Sequence, residues 1–411
     1  MRRLATLDSR DDPAFERRVR AIVDAVRRDG DRALVRFARK YDGLRAPIEV
    51  PAQEIRAAAD RVDPTVRRAI ARAAAHIARV AFQQIPRHFD LDVVPGVSIE
   101  QRVEPLARVG CYVPAGRFPL PSSLLMTAVP ARVAGVSDVI VVCPRPEPVV
   151  MAAALEAGVT RLLRIGGAHA VAALAFGTAT VPRVNKIVGP GNRYVAVAKS
   201  LVAGRCAIDF YAGPTEIVIV AGGGRPAWIA ADLVAQAEHD PDARAILITW
   251  SRQLAERVAV AATRLAAGRP IVRQSFAAYG AIVVARSRED AMALATDLAP
   301  EHLVLDREAL ARRPLTAGAV FIGPYTAQAA GDYATGSNHV LPTAGAARFR
   351  GGLSAADFMR VMSVQRVTRD GLGRIAPIAL PLARAEGLAG HAESIEIRLR
   401  RVKRSPSAMS H

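Results

Sequence analysis

Short apolar runs alternate with helical patterns of ten or so residues from Leu106 to Ile322, and this alternation leaves very few folds open to the chain. Leu106 to Pro114 reads as a strand entering a Gly/Pro turn, and Ser122-Ser123 open an apolar helix from Leu124 to Ala134. Strands are expected at 139–142 and 161–165, and a strand and turn over 186–192, with helices at 149–156, 168–175 and 193–203. The alternation then continues, with strands at 216–221, 245–249, 281–285, 303–305 and 319–322 and helices at 228–238, 254–265 and 289–298. Strands spaced by whole helices cannot pair through tight turns, so they are expected to form parallel sheets with crossover helices. The expected fold class is therefore α/β.

Four regions follow from this pattern: a helical N-terminal region (1–109) expected to pack partly with the second α/β domain, two α/β domains of similar size (110–215 and 216–352), and a C-terminal arm (353–411). The similarity of the two domains hints at duplication, although no repeated sequence accompanies it. In the N-terminal region Phe15, Val19, Ile22, Val23 and Val26 keep a helical period, and Asp29-Gly30-Asp31 makes a break. Asp63-Pro64 suits an N-cap followed by a first helical turn. The arm is expected to hold a helix and a final strand-like run, Ser394 to Leu399.

Composition sets the outer limits. No apolar run approaches the roughly 20 residues that a membrane helix needs, and the first residues lack the apolar core of a secretory signal. A cytoplasmic protein is expected. Cys111, Cys143 and Cys206 have no close pairing, which fits small buried hydrophobes better than a disulfide framework. The formal charge of +18 raises nucleic-acid binding as a possibility. The excess is almost all Arg, scattered through Ala-rich helices rather than gathered in aromatic-interleaved stripes, so compositional bias is the simpler source.

Parallel sheets bind ligands beyond the carboxyl ends of their strands. Tyr112, Ser122, Gly166-Gly167 and Gly189-Pro-Gly-Asn192 occupy such positions in the first α/β domain. Neither glycine cluster completes Gly-x-Gly-x-x-Gly with a downstream acid, so the usual dinucleotide fingerprint is absent. Four of the eight histidines sit in polar or Gly-bearing settings: His239, His302, His339 and His391. Gln236 and His239 are spaced to project from one face of a helix, about one turn apart. Glu301-His302 could supply two proton-transfer groups of different pKa at one spot. Asp332 and His339 flank a polar, flexible Gly/Ser/Asn loop. Together Gln236, His239, Asp332 and His391 make an N/O ligand set of the sort zinc accepts, provided that a fold gathers them.

Over nearly its whole length the chain resembles the histidinol dehydrogenase family. The resemblance rests on Gly110-x-Tyr112-Val-Pro-x-Gly116, Pro119-Leu-Pro-Ser-Ser123, Gly166-Gly-Ala168, Gly189-Pro-Gly-Asn192, Ala212-Gly-Pro-Thr-Glu216, Gln236-Ala-Glu-His239, Pro300-Glu-His302, Gly331-Asp332, Ser337-Asn-His339-Val-Leu-Pro342 and Glu386-x-Leu388-x-x-His391. It implies two incomplete Rossmann-like domains and a homodimer with shared active sites, dimerised through the C-terminal arm. It also implies one zinc ion per subunit and oxidation of L-histidinol to L-histidine through the aldehyde with two NAD. By the same resemblance Gln236, His239, Asp332 and His391 are the zinc ligands, with His391 and Glu386 coming from the other subunit. The metal holds the substrate's imidazole and amine, His302 takes the alcohol proton, and Glu301 activates water. Thr215, His339 and Glu386 join the ligands and His302 in the substrate-binding set, and Tyr112, His169 and Asn192 contact NAD.

The chain departs from the family pattern at three places. His169 stands where Gln is common, Thr215 where Ser is usual, and Ala115-Gly-Arg117 where Gly-Gly-Thr is usual. These changes leave room for a paralogue that oxidises another primary alcohol, such as a sulfopropanediol. A basic nucleic-acid-binding protein is the alternative from a different class.

Overall fold

The structure, a computed structural model, describes residues 12–115, 118–210 and 213–400. Arg117 and the basic tail beyond Arg400 therefore lie outside the described residues. By contact density the chain divides into two units, one of residues up to Ile85 together with Pro105–Phe358, the other of Pro86–Glu104 with the chain from Met359.

The larger unit contains two five-stranded parallel sheets of the same strand order. The first is built from β3 (Arg108–Tyr112), β4 (Asp138–Val142), β5 (Arg161–Leu163), β6 (Lys186–Val188) and β7 (Ala207–Ile208), arranged β5-β4-β3-β6-β7. The second comprises β8 (Glu216–Val220), β9 (Arg244–Thr249), β10 (Ala281–Val284), β11 (His302–Leu305) and β12 (Ala319–Ile322), arranged β10-β9-β8-β11-β12. In each sheet the first strand lies at the centre and the connections switch direction beside it. The α/β expectation is borne out, as are the strand positions expected between Leu106 and Ile322, to which the short β7 is added.

Crossover helices α5 (Pro121–Val133), α6 (Pro148–Glu156), α7 (Gly167–Phe176) and α8 (Arg193–Val202) belong to the first sheet. Helices α9 (Pro226–Ala237), α10 (Arg252–Leu265), α11 (Pro270–Tyr279), α12 (Arg288–Leu298) and α13 (Gln328–Tyr333) belong to the second. The N-terminal helices α1 (Pro13–Asp29), α2 (Asp31–Phe37), α3 (Ala52–Asp60) and α4 (Pro64–Gln83) pack on helices of the first domain, α1 on α7 and α8, α3 on α6, and α4 on α5 and α6. Their apolar stripe, including Phe15, Val19, Val23 and Leu34, merges with Val171, Leu174 and Ile187 into one core. Pro64 starts α4 and the Asp63 carboxylate accepts from Thr65 N–H at 2.7 Å, as the Asp-Pro pair implied.

The N-terminal region also reaches the glycine pair at the start of α7. Asp42 Oδ2 accepts from Gly166 N–H at 3.0 Å and bonds His169 Nε2 at 2.7 Å, with His169 only 2% exposed. Asp42→Ala would strand both partners in a dry interior, at about 1–3 kcal/mol for each group left unpaired. Denaturant unfolding of the variant is expected to show that loss, and an unchanged midpoint would mean that water or another side chain fills the gap.

The smaller unit corrects the sequence reading in two ways. It holds a three-stranded sheet, with β1 (Phe89–Val94) paired antiparallel to β2 (Val97–Pro105) and β2 beside β13 (Met359–Val367). Residues 86–104 therefore group with the chain beyond 358, not with the helices that precede them. Ser394–Leu399 is not a strand: it completes helix α15 (Ala389–Leu399), which packs on α14 (Arg369–Ala385). Its alternating Ile/Glu/Ile/Arg pattern is outweighed by the helical spacing of its less exposed positions, Ala392, Ile395, Glu396 and Leu399.

Candidate active site

A crossover helix runs antiparallel to the strands it joins, so its last turn returns to the edge where the strands begin. The second sheet puts its chemistry at that amino edge, opposite to the carboxyl-end crevice expected of such sheets. Glu301 and His302 stand at the start of β11, while Thr215 and Glu216 stand at the start of the neighbouring β8. Gln236 lies in the last turn of α9 and Asp332 near the end of α13. His239 is not on the helix: α9 ends at Ala237, and His239 is exposed in the following turn, its N–H donating to the Gln236 carbonyl at 3.4 Å.

One backbone residue orients both members of the Glu301-His302 pair. Glu216 N–H donates to Glu301 Oε2 at 2.9 Å, and the Glu216 carbonyl accepts from His302 Nδ1 at 3.0 Å. With Nδ1 carrying its proton toward that carbonyl, Nε2 is left as the lone-pair nitrogen. Burial holds His302 below the ordinary histidine range, against an upward pull from Asp332, so its neutral form is favoured. Burial pushes Glu301 up to about 8, opposed by its hydrogen bonds to Thr215 and Glu216 and aided by the Asp332 carboxylate. Glu216 itself is raised to about 7 by burial, which the Arg244 guanidinium moderates. From sequence alone Glu216 has no role beyond the end of a motif and the start of a strand. Its role depends on β8 and β11 lying side by side, a pairing across 86 residues that no local pattern reports.

A hydrogen-bond relay joins this pair to Gln236 at the end of α9. Gln236 Nε2 donates to Thr215 Oγ1 at 2.7 Å, and Thr215 Oγ1 donates to Glu301 Oε2 at 2.5 Å. Gln236 is fully buried, and among the described residues its Oε1 has no hydrogen-bond partner. A buried acceptor left unpaired is costly, and a cation is one partner that would relieve it. Asp332, held by Gln328 Nε2 at 3.0 and 3.1 Å, interacts electrostatically with His302 and His339. His339 is pushed down by burial, Asp332 opposing this and the His302 and His239 imidazoles adding to it, so all four side chains share one neighbourhood.

Among the described residues no three His, Cys, Asp or Glu side chains form a group that could hold a metal. The larger unit supplies only His239 and Asp332 of the expected ligands from those residue types, Gln236 being an amide. The donor chemistry nevertheless suits zinc: one imidazole, one carboxylate and an amide oxygen whose hydrogen-bonding capacity is unused. His391 lies on α15 and Glu386 just after α14, both exposed in the smaller unit.

The Gly/Ser/Asn loop after α13 is tied to distant elements by hydrogen bonds. Asn338 Nδ2 donates to the Met126 carbonyl at 2.7 Å, and His76 Nδ1 donates to the Ala334 carbonyl at 2.6 Å. His339 Nδ1 donates to the Asp332 carbonyl at 3.1 Å, which leaves Nε2 as its remaining ring nitrogen.

At the first sheet the expected cofactor residues are spread along the carboxyl edge. Tyr112 ends β3, and its phenol oxygen accepts from Gly167 N–H at 2.9 Å. Asn192, an exposed residue, caps α8, its side-chain oxygen accepting from Val195 N–H at 3.2 Å. His169 commits Nε2 to Asp42, so only Nδ1 remains for any further hydrogen bond. The three cysteines are buried thiols, and burial pushes Cys111 up to about 12, in keeping with a packing role.

The sequence model of the histidinol dehydrogenase family matches residues 6–399. A histidinol dehydrogenase of Syntrophotalea carbinolica is 46% identical over 399 residues, covering 94% of this chain and 93% of that protein. One from Aquifex aeolicus is 42% identical over 394 residues, covering 93% and 92%. The crystal structure of histidinol dehydrogenase from Elizabethkingia anophelis superposes with a TM-score of 0.91 at 32% identity, covering 96% of this chain and 94% of that one.

Proposed function

The chain belongs to the histidinol dehydrogenase family, and we propose that it oxidises L-histidinol to L-histidine through the aldehyde, with two NAD and one zinc ion per subunit. The observation that carries this reading is the Glu301-His302 pair, oriented by one backbone residue and joined through Thr215 to the unpaired Gln236 oxygen.

Gln236, His239 and Asp332 would hold the metal together with a His391 from a second subunit, and Glu386 would reach the substrate from that subunit. When bound, zinc fixes the substrate's imidazole and amine, and NAD accepts the hydride. The protein's own groups handle the protons. His302 Nε2 takes the hydroxyl proton as the first hydride leaves the alcohol carbon. Glu301, as carboxylate, takes a proton from water while the oxygen attacks the aldehyde carbon, and the second hydride leaves from the hydrate. Thr215 steadies Glu301 between these events, and His339 Nε2 is free to face the substrate. Tyr112, Asn192 and, through Nδ1, His169 would contact NAD.

A homodimer is part of the proposal. It is supported by apolar side chains that the smaller unit leaves exposed, including Phe89, Leu91 and Val93 along β1 and Ile378 and Leu382 on α14. Single exposed apolar groups are ordinary, but repeated ones on a unit this small suit a subunit contact. Among the described residues no helix is long and apolar enough to cross a membrane.

Purified protein with zinc and NAD is expected to release two NADH per histidinol; absence of turnover would remove the reading, and turnover of a sulfonated diol instead would favour the paralogue. His302→Asn is expected to retain zinc while hydride transfer from the alcohol falls by about 10²–10⁴. Normal turnover by that variant would shift the base role to another residue.

A further inference from the structure

We infer that Lys199 and Asp209, a buried ion pair outside the catalytic cluster, are positioning residues that set the cofactor-binding turn Gly189–Asn192; this rests on the NAD reading above. Lys199 is 2% exposed and Asp209 1%, and their side chains are in direct contact. Between them they hold both backbone groups of one residue. Asp209 Oδ2 accepts from Gly189 N–H at 2.7 Å, and Lys199 Nζ donates to the Gly189 carbonyl at 3.0 Å. The second carboxylate oxygen, besides meeting Lys199, accepts from Phe210 N–H at 2.7 Å.

Gly189 occupies a demanding place. It follows β6 directly, and β6 neighbours β3 where the first sheet's connections reverse direction, the position at which open α/β sheets receive dinucleotides. Its φ is +111°, and a Cβ built there would lie 2.2 Å from the Tyr112 carbonyl oxygen. The turn it begins ends at Asn192, whose exposed amide caps α8. A shift of Gly189 would therefore alter the crevice between Tyr112 and Asn192.

Stability alone gives little reason for charges here, since a buried pair can often be replaced by apolar residues of similar volume without loss. Apolar residues could not bind both the N–H and the carbonyl of Gly189. The choice of lysine fits as well. In an Arg-rich chain the compact ammonium, with three rotatable donors, meets a carboxylate and a carbonyl at once, where a planar guanidinium would need a wider space.

The test compares the full-length wild type with Lys199→Met/Asp209→Leu, which removes both charges at similar volume. NAD affinity is measured by titration calorimetry, zinc content by atomic absorption, and the KM for histidinol by steady-state kinetics. The double variant is expected to fold with wild-type zinc content and little change in the histidinol KM, while NAD binds about tenfold more weakly or worse. Unchanged NAD affinity in a folded double variant overturns the inference. Should that variant fail to fold, Asp209→Asn decides, because it keeps an acceptor for Gly189 N–H and loses the charge that holds Lys199. Selective loss of NAD affinity then supports the inference, and no loss overturns it. A wild type that binds no NAD removes the NAD reading, and the inference with it; a defect confined to the variants does not arise in that case.

Discussion

Glu301→Gln is expected to stop turnover after the first oxidation, with one NADH released per histidinol and overall acid formation reduced by about 10²–10⁴. The glutamine keeps the volume of the side chain, and its oxygen can still accept from Thr215 and from Glu216 N–H, now 2.5 and 2.9 Å from Glu301 Oε2. What it lacks is a site for the proton of the attacking water. Product analysis separates the cases: two NADH per histidinol at the normal rate would show that the carboxylate is not the base. The wild type should carry a matching pH dependence. Burial raises Glu301 to about 8, and the base form is the deprotonated one, so aldehyde oxidation should increase with pH. The midpoint should lie no higher than about 8, because a cation near Asp332 would favour the carboxylate. His302 is shifted the other way, and its lowered value keeps it neutral and ready as a base at pH 7.

Lys199→Ala is expected to carry the largest cost in stability, about 3–5 kcal/mol, since it leaves the Asp209 charge buried without its partner. Two Asp209 hydrogen bonds, from Gly189 N–H and Phe210 N–H, remain and temper the loss, while the Gly189 carbonyl loses its donor. Denaturant curves should show the shift, and a change under about 1 kcal/mol would place it among ordinary surface substitutions, implying that water reaches the pair.

The two effects differ in how far the chain itself announces them. Glu301-His302 are adjacent in sequence and open an apolar strand, so their chemistry can be read before any fold is known. Lys199 and Asp209 belong to a helix and a post-strand turn in which neither stands out. Their partnership exists only because α8 folds back over the loop leaving β6. Glu216 is a further case, since its contribution comes from its backbone and leaves no mark in residue type.

Local periodicity and end signals carried the alternating strands and helices, the Asp63-Pro64 helix start and the buried cysteines, because each reports the immediate surroundings of a few neighbouring residues. The motifs named the candidate chemistry in the same way. The tertiary structure alone settled that the chemistry of the second sheet gathers at its amino edge, that His239 lies beyond its helix, and that Asp42 holds His169. It also turned Ser394–Leu399 from an alternating run into a helix and drew residues 89–105 into a sheet with residues 359–367. These outcomes depend on contacts between segments far apart in the chain, where the gain from packing outweighs what either segment prefers alone.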